Sequence, residues 1–165
     1  MKKLVVLSTV VIFNTHINAQ TDRDKAFAKE AAEDGLMEIK LGELAKSRGT
    51  TLEVKDLGNQ MVSDHTKAND ELKTLAASKN ISIPTTLSAK GQKCYDKLSK
   101  KEGKAFDKAY THAMIKDHKK SLCKFKKESK KGDDPEFKSW ATNTIPTLQR
   151  HKELSENTCK AIKKS

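Results

Sequence analysis

Two copies of one short pattern carry most of the chemistry in this chain: Met61-Val-Ser-Asp64-His65 and, 53 residues further on (118 minus 65), Met114-Ile-Lys-Asp117-His118. Imidazole beside carboxylate binds divalent metals or passes protons, and a methionine four residues before each histidine adds a thioether that suits cuprous copper. Glu38 and His151 share the position of these histidines, because each falls on a stripe that is otherwise mostly apolar. Glu38 lies among Phe27, Ala31, Leu41 and Ala45, and His65 among Val54, Leu57, Met61 and Leu72. His118 lies among Tyr110, Met114, Leu122 and Phe125, and His151 follows Phe137, Ala141, Thr144 and Leu148. Spacing of three and four residues is that of amphipathic helices, so four helices each place one polar residue where a leucine is expected.

This pattern allows two readings. In the first, Glu38, His65, His118 and His151 form a metal site, with Asp64 and Asp117 as extra ligands or as partners that orient the rings. Nitrogen and oxygen ligands suit iron, manganese, zinc or cupric copper, while Met61 and Met114 act as thioether ligands or simply fill the core. In the second, the same groups form a polar network that binds nothing, which is stable only when every donor and acceptor is satisfied. His112 belongs to neither pattern and reads as a surface residue.

The elements that must position these residues are set by end signals. A first helix is expected from about Asp22 to Ser47, with Thr21 and Asp24 as a capping box and Gly49 as its stop. A second runs from Thr51 to about Ser78, introduced by Thr50-Thr51-Leu52-Glu53, a full S/T-x-x-E capping box with Thr50 as its cap. A crossover containing Ile83-Pro84 and a short helix near Ser88 to Leu98 follows. The third long helix begins after Ser99-Lys-Lys-Glu102 and ends at Gly132, and the fourth is capped by Asp134, with Pro135 in its first turn and a bend at Pro146. No strand-like alternation is present. Short links within each pair and about twenty residues between pairs predict an all-α, ferritin-like four-helix bundle of two hairpins joined by a long crossover.

Hairpin arithmetic brings the four polar residues to one depth. Glu38 lies 11 residues before Gly49 and His65 lies 15 after Thr50, while His118 lies 14 before Gly132 and His151 lies 18 after Asp133. Each mismatch of four residues is about 6 Å, which the lean of helical side chains toward the N-terminus closes.

Lys2 and Lys3 before the apolar run Leu4 to Phe13, then Ile17-Asn18-Ala19, read as a signal peptide over 1–19. The remaining residues, 20–165, are expected to be one exported, periplasmic domain that is soluble after cleavage, since no stretch in it is apolar enough to span a membrane. That remainder keeps 31 of 33 basic residues against 22 acidic ones, a net of +9. With arginine only at positions 23, 48 and 150 and few aromatics to stack on bases, nucleic acid is not the expected partner. Lysine runs such as 116–131 read as solvated faces, or as weak contacts with anionic envelope components that salt would abolish. No nucleophile elbow or phosphate loop points to a hydrolase.

Cys94, Cys123 and Cys159 are an odd number for an oxidising compartment. Cys159, 26 residues after Asp133, is level with the start of the third long helix and the crossover, so the expectation is a Cys94–Cys159 disulfide with Cys123 reduced and buried.

The segments Phe27 to Glu38, Leu41-Gly42-Glu43-Leu44-Ala45, both Met-x-x-Asp-His motifs, Phe106-Asp107-Lys108-Ala109-Tyr110 and Thr144-Ile145-Pro146-Thr147-Leu148-x-x-His151 resemble the bacterial family called domain of unknown function 4142. The resemblance covers nearly all of the chain after position 19. It implies a ferritin-like fold, export and a loose outer-membrane label, and it implies no assigned activity. Ferritin-like di-iron proteins carry Glu-x-x-His on two helices; here Val62 and Leu148 stand three residues before His65 and His151, so an oxygen-activating di-iron centre is not expected. The functions left are a periplasmic metal-binding bundle and a non-catalytic envelope or stress-associated interaction protein.

Overall fold

The computed structural model describes residues 21–163, and the expected signal peptide lies outside the described residues. The chain forms α1 (Asp22–Arg48), α2 (Leu52–Ser78), α3 (Ala89–Ser99), α4 (Gly103–Lys131) and α5 (Pro135–Ala161), with no strand among the described residues. α1 pairs with α2 and α4 with α5. The hairpins then meet along α1 with α4 and α2 with α5, and α3 in the crossover leans on α1 and α4.

Local chemistry fixes the helix ends. Asp134 accepts from the backbone N–H groups of Glu136 (2.9 Å) and Phe137 (3.2 Å), with Pro135 at the position where a missing N–H costs nothing. Ser88 accepts from Gly91 N at 3.1 Å. α2 departs from expectation: its cap is Thr51, which accepts from Val54 N at 3.3 Å. Thr50 is drawn off by Asp107 on α4, which accepts from its backbone N–H at 3.1 Å and from its hydroxyl. The Thr21 box is also absent, since Thr21 Oγ1 lies 2.7 Å from Asp133 Oδ2 and 3.1 Å from Asp24 Oδ2 instead of capping α1.

These departures share one cause. Asp24, near the start of α1, accepts from the N–H groups of Asp133 (3.0 Å) and Asp134 (3.2 Å) in the α4–α5 turn. Asp107, near the start of α4, does the same for the α1–α2 turn. Each hairpin thus holds the turn of the other through a buried carboxylate. Within the first hairpin, α1 and α2 touch at Gly42 and Gly58: a Cβ on Gly42 would lie 2.9 Å from Gly58 O, and one on Gly58 would lie 2.7 Å from Gly42 O. That contact, one turn beyond Glu38, brings the backbones close enough for Glu38 to reach α2.

The core has two apolar layers. One contains Phe27, Leu72, Leu122, Phe125 and Phe137, the other Leu41, Val54, Met61, Phe106, Tyr110 and Met114. Between them lie Glu38, His65, His118 and His151, all buried.

Candidate metal centre

Three helices supply one imidazole each: His65 from α2, His118 from α4 and His151 from α5. A nitrogen from each ring lies within 4.8 Å of the other two. His118 Nε2 is central, 3.2 Å from His151 Nδ1 and 3.4 Å from His65 Nε2. An ion held tetrahedrally about 2.0 Å from each nitrogen sets those nitrogens about 3.3 Å apart.

The groups outside the rings decide where the protons sit. His118 Nδ1 lies 2.9 Å from the Met114 carbonyl, which can only accept, so Nδ1 carries hydrogen. Burial, with His151 beside it, pushes the His118 pKa down to about 4, so at neutral pH the ring is neutral and Nε2 is bare. His151 Nε2 lies 2.7 Å from Asp64 Oδ2. Burial works to raise the Asp64 carboxyl, but hydrogen bonds from His151 and Gln60 and the charge of Arg150 outweigh it and hold the group below its usual value. Gln60 Nε2 donates to the same oxygen at 2.7 Å and Arg150 Nη2 at 2.6 Å. An ionised Asp64 accepts, so His151 Nε2 carries hydrogen. The His151 ring is held neutral by burial, which leaves its Nδ1 bare. His118 Nε2 and His151 Nδ1 are therefore two lone pairs facing each other with no proton between them.

Glu38 on α1 governs the third ring. Its Oε2 lies 3.2 Å from His65 Nδ1, and its Oε1 lies 3.5 Å from His118 Nδ1 and has no hydrogen-bond partner. Burial first, then Asp34 and Asp117, raises the Glu38 carboxyl well above its usual value, while burial and the two neighbouring rings drive His65 well down. Both directions favour the uncharged forms, with the proton on Glu38 and His65 Nε2–H pointing at His118. A cation among the rings favours ionised Glu38; His65 Nδ1–H then donates to it and the third nitrogen is bare.

The structure sorts the remaining expected residues. Glu38 meets the rings from their Nδ1 edges, opposite the converging nitrogens, and so braces them. Asp64 braces His151. Asp117 makes no bond to a histidine; it lines a cavity of about 680 Å³ between α1, α3 and α4 with Met37 and Cys94. Met61 and Met114 pack in the apolar layer with Leu41 and Tyr110, and Met114 serves the site through its carbonyl. His112 is exposed. Gln60 and Arg150 were not singled out from sequence, although Gln60 stands four residues before Asp64 on one helical face and Arg150 adjoins His151.

The cysteine expectations are corrected. Cys94, Cys123 and Cys159 are all free, and Cys123 is exposed. Cys159 lines a pocket with Thr50, Asp107 and Lys108, on a different face from the Cys94 cavity. Residue spacing sets depth along the bundle but not the side on which a crossover helix lands. Cys123 follows core His118 by five residues, about 140° round the helix, which turns it outward.

Two antiparallel hairpins, a long crossover and inward polar residues at mid-bundle define the ferritin-like helical class. A crystal structure of a DUF305 fragment from Deinococcus radiodurans shares this fold with a TM-score of 0.76, at 11% identity, over 86% of this chain and 98% of that one. The chain belongs to the family described as Domain of unknown function (DUF4142), which matches residues 14–157. No curated protein matches it significantly.

Proposed function

We propose that this bundle binds one transition-metal ion on His65 Nε2, His118 Nε2 and His151 Nδ1, and that it serves in metal storage or buffering outside the cytoplasm. The observation that carries the reading is the arrangement of protons: Met114 O and Asp64 hold hydrogen on the outer nitrogens of two rings, leaving bare nitrogens turned on each other. Neutral imidazoles braced by carboxylate and carbonyl are the usual surroundings of a metal-ligating histidine. A three-imidazole set suits zinc or copper ahead of manganese, with iron also accepted. Storage or buffering is the modest end of metal chemistry, and it fits a site lacking the second carboxylate-rich half of a di-iron centre. Export is supported by the basic and apolar pattern of residues 2–13, and residues 20–165 are read as one domain. No helix among the described residues is long and apolar enough to cross a membrane.

The test is metal content by mass spectrometry of protein purified without a His tag and reloaded with iron, copper, zinc or manganese. Near-stoichiometric metal, lost in the His65→Ala, His118→Ala double variant, is the expected result. Absence of metal from both proteins would leave the polar layer as a structural network and overturn the proposal.

A further inference from the structure

Charge on the bundle is segregated by helix. α4 carries ten lysines against three carboxylates, a net of +7, whereas α2 carries three lysines against five carboxylates, a net of −2. α1 and α5 are each within one charge of neutral. Since α1 and α5 each pack on both α2 and α4, the basic and acidic helices occupy diagonal corners of the bundle.

The three carboxylates of α4 do not offset its outer face. Asp107 and Glu128 are buried and Asp117 is half-buried over the α3 side cavity. Lys108, Lys116, Lys119, Lys126, Lys127 and Lys130 are all exposed, and their spacing places them along one side of the helix. From Lys108 to Lys130 is 22 residues, a ridge about 33 Å long. Lys119 comes within 4.0 Å of Glu156, while Lys108, Lys126, Lys127 and Lys130 have no side-chain ion pair among the described residues.

We propose that the outer face of α4 docks this protein on the anionic phosphate headgroups of a membrane surface, with α2 turned away. The ridge is the outer face of a single helix, and the open hollow of about 450 Å³ on it, lined by His112, Ile115, Lys116, Lys119 and Lys120, holds no arginine and no Phe, Tyr or Trp ring. It has no arginine for bidentate phosphate or base contacts and no exposed aromatic for stacking. A row of lysine point charges instead matches a plane of laterally mobile phosphates, and the acidic diagonal corner orients the bundle as it approaches. The contact needs no spanning segment, and no described helix is long and apolar enough to cross a membrane.

Sedimentation with sucrose-loaded phosphatidylcholine vesicles, with and without phosphatidylglycerol, tests this. Each lysine at such a surface strengthens partitioning about fivefold, so reversing Lys116, Lys119, Lys126 and Lys130 together to Glu weakens it on the order of several hundredfold or more. Binding that requires phosphatidylglycerol, is released by salt, is lost in that variant and is kept in the Lys55→Glu, Lys67→Glu, Lys73→Glu variant of α2 is the expected result. Circular dichroism confirms that both variants are folded. Equal sedimentation with neutral vesicles, undiminished binding by the α4 variant, or displacement by duplex DNA at lower phosphate concentration than the vesicles present would each overturn the proposal.

Discussion

Replacing His118 with leucine separates a site built for a metal from a polar layer built for stability, because the two predict opposite signs. In the metal-free protein His118 Nε2 and His151 Nδ1 stand 3.2 Å apart as facing acceptors, and His151 Nδ1 has no donor. One unmet buried acceptor costs about 1–3 kcal/mol. Leucine fills a similar volume in a position that is 0% exposed and removes the opposition between the two nitrogens. Two contacts are lost: the hydrogen bond from Nδ1 to Met114 O, a carbonyl already within the helical ladder, and the long 3.4 Å contact from His65 Nε2–H, for which His151 Nδ1, within 4.8 Å and lacking a donor, is the replacement acceptor. His118→Leu is therefore expected to be more stable than wild type in chelator by about 1–2 kcal/mol, a rise in Tm of roughly 2–8 °C for a domain of this size.

Metal reverses the order. An ion at a hundredfold excess over its Kd stabilises the wild type by about 2.7 kcal/mol and leaves the variant unmoved. Urea and thermal melts of both proteins, with chelator and with zinc or copper, measure the four quantities. A loss of about 3 kcal/mol or more in chelator, of the size seen when a satisfied buried network is broken, would refute the proton assignment and with it the metal site.

Asp64→Asn replaces an acceptor with an amide able to donate to His151 Nε2, and it is expected to weaken metal binding about 10–100-fold in chelator competition while the three ligands remain. Glu128 supplies a pH test at the far end of the bundle. Burial, then its hydrogen bond to Asp24, raises its carboxyl to about 7 in the folded protein, so between about pH 4.5 and 7 the native state holds a proton that the unfolded state has lost. The stability this group gives is present at acid pH and is lost as pH rises through 7. Glu128→Gln, which keeps a donor for Asp24, is thus expected to be more stable than wild type at pH 8 and close to it at pH 5 in urea melts. Alkylation of native protein without reductant is expected to modify Cys123 first and Cys94 more slowly, with Cys159 reacting only on unfolding; two unreactive cysteines would restore the disulfide.

The helices were legible because their signals are local. Asp134-Pro135, Ser88 and the three-and-four stripes need no knowledge of the rest of the chain, and the ends fall within a residue or two of expectation. Depth was legible as well: both hairpins turn within a few residues, so counting from each turn puts Glu38, His65, His118 and His151 in one layer. Thr50 misled because its partner, Asp107, is 57 residues away and outcompetes the local cap. The cysteines misled because azimuth around the bundle depends on where the crossover packs. The roles within the site were hidden for a further reason. Whether Glu38 joins or braces the rings depends on which ring edge it meets, and the proton on His118 depends on a backbone carbonyl that residue types do not specify.

The scaffold explains why such a layer can persist. His118 and His151 share the α4–α5 hairpin, and the register that sets Glu38 and His65 against them is fixed by Asp24 and Asp107, each of which ties one hairpin's first helix to the other's turn at opposite ends of the bundle. The Gly42–Gly58 contact fixes the spacing of α1 and α2 close to Glu38 and His65. Apolar layers on both sides exclude the water that would otherwise satisfy His151 Nδ1. The energetic cost at the centre is therefore carried by satisfied carboxylates and packed aromatics at some distance from it. Strain held in this way is the expected mark of a site that awaits a ligand, and a cation is the ligand selected by two facing lone pairs with a third freed when Glu38 ionises.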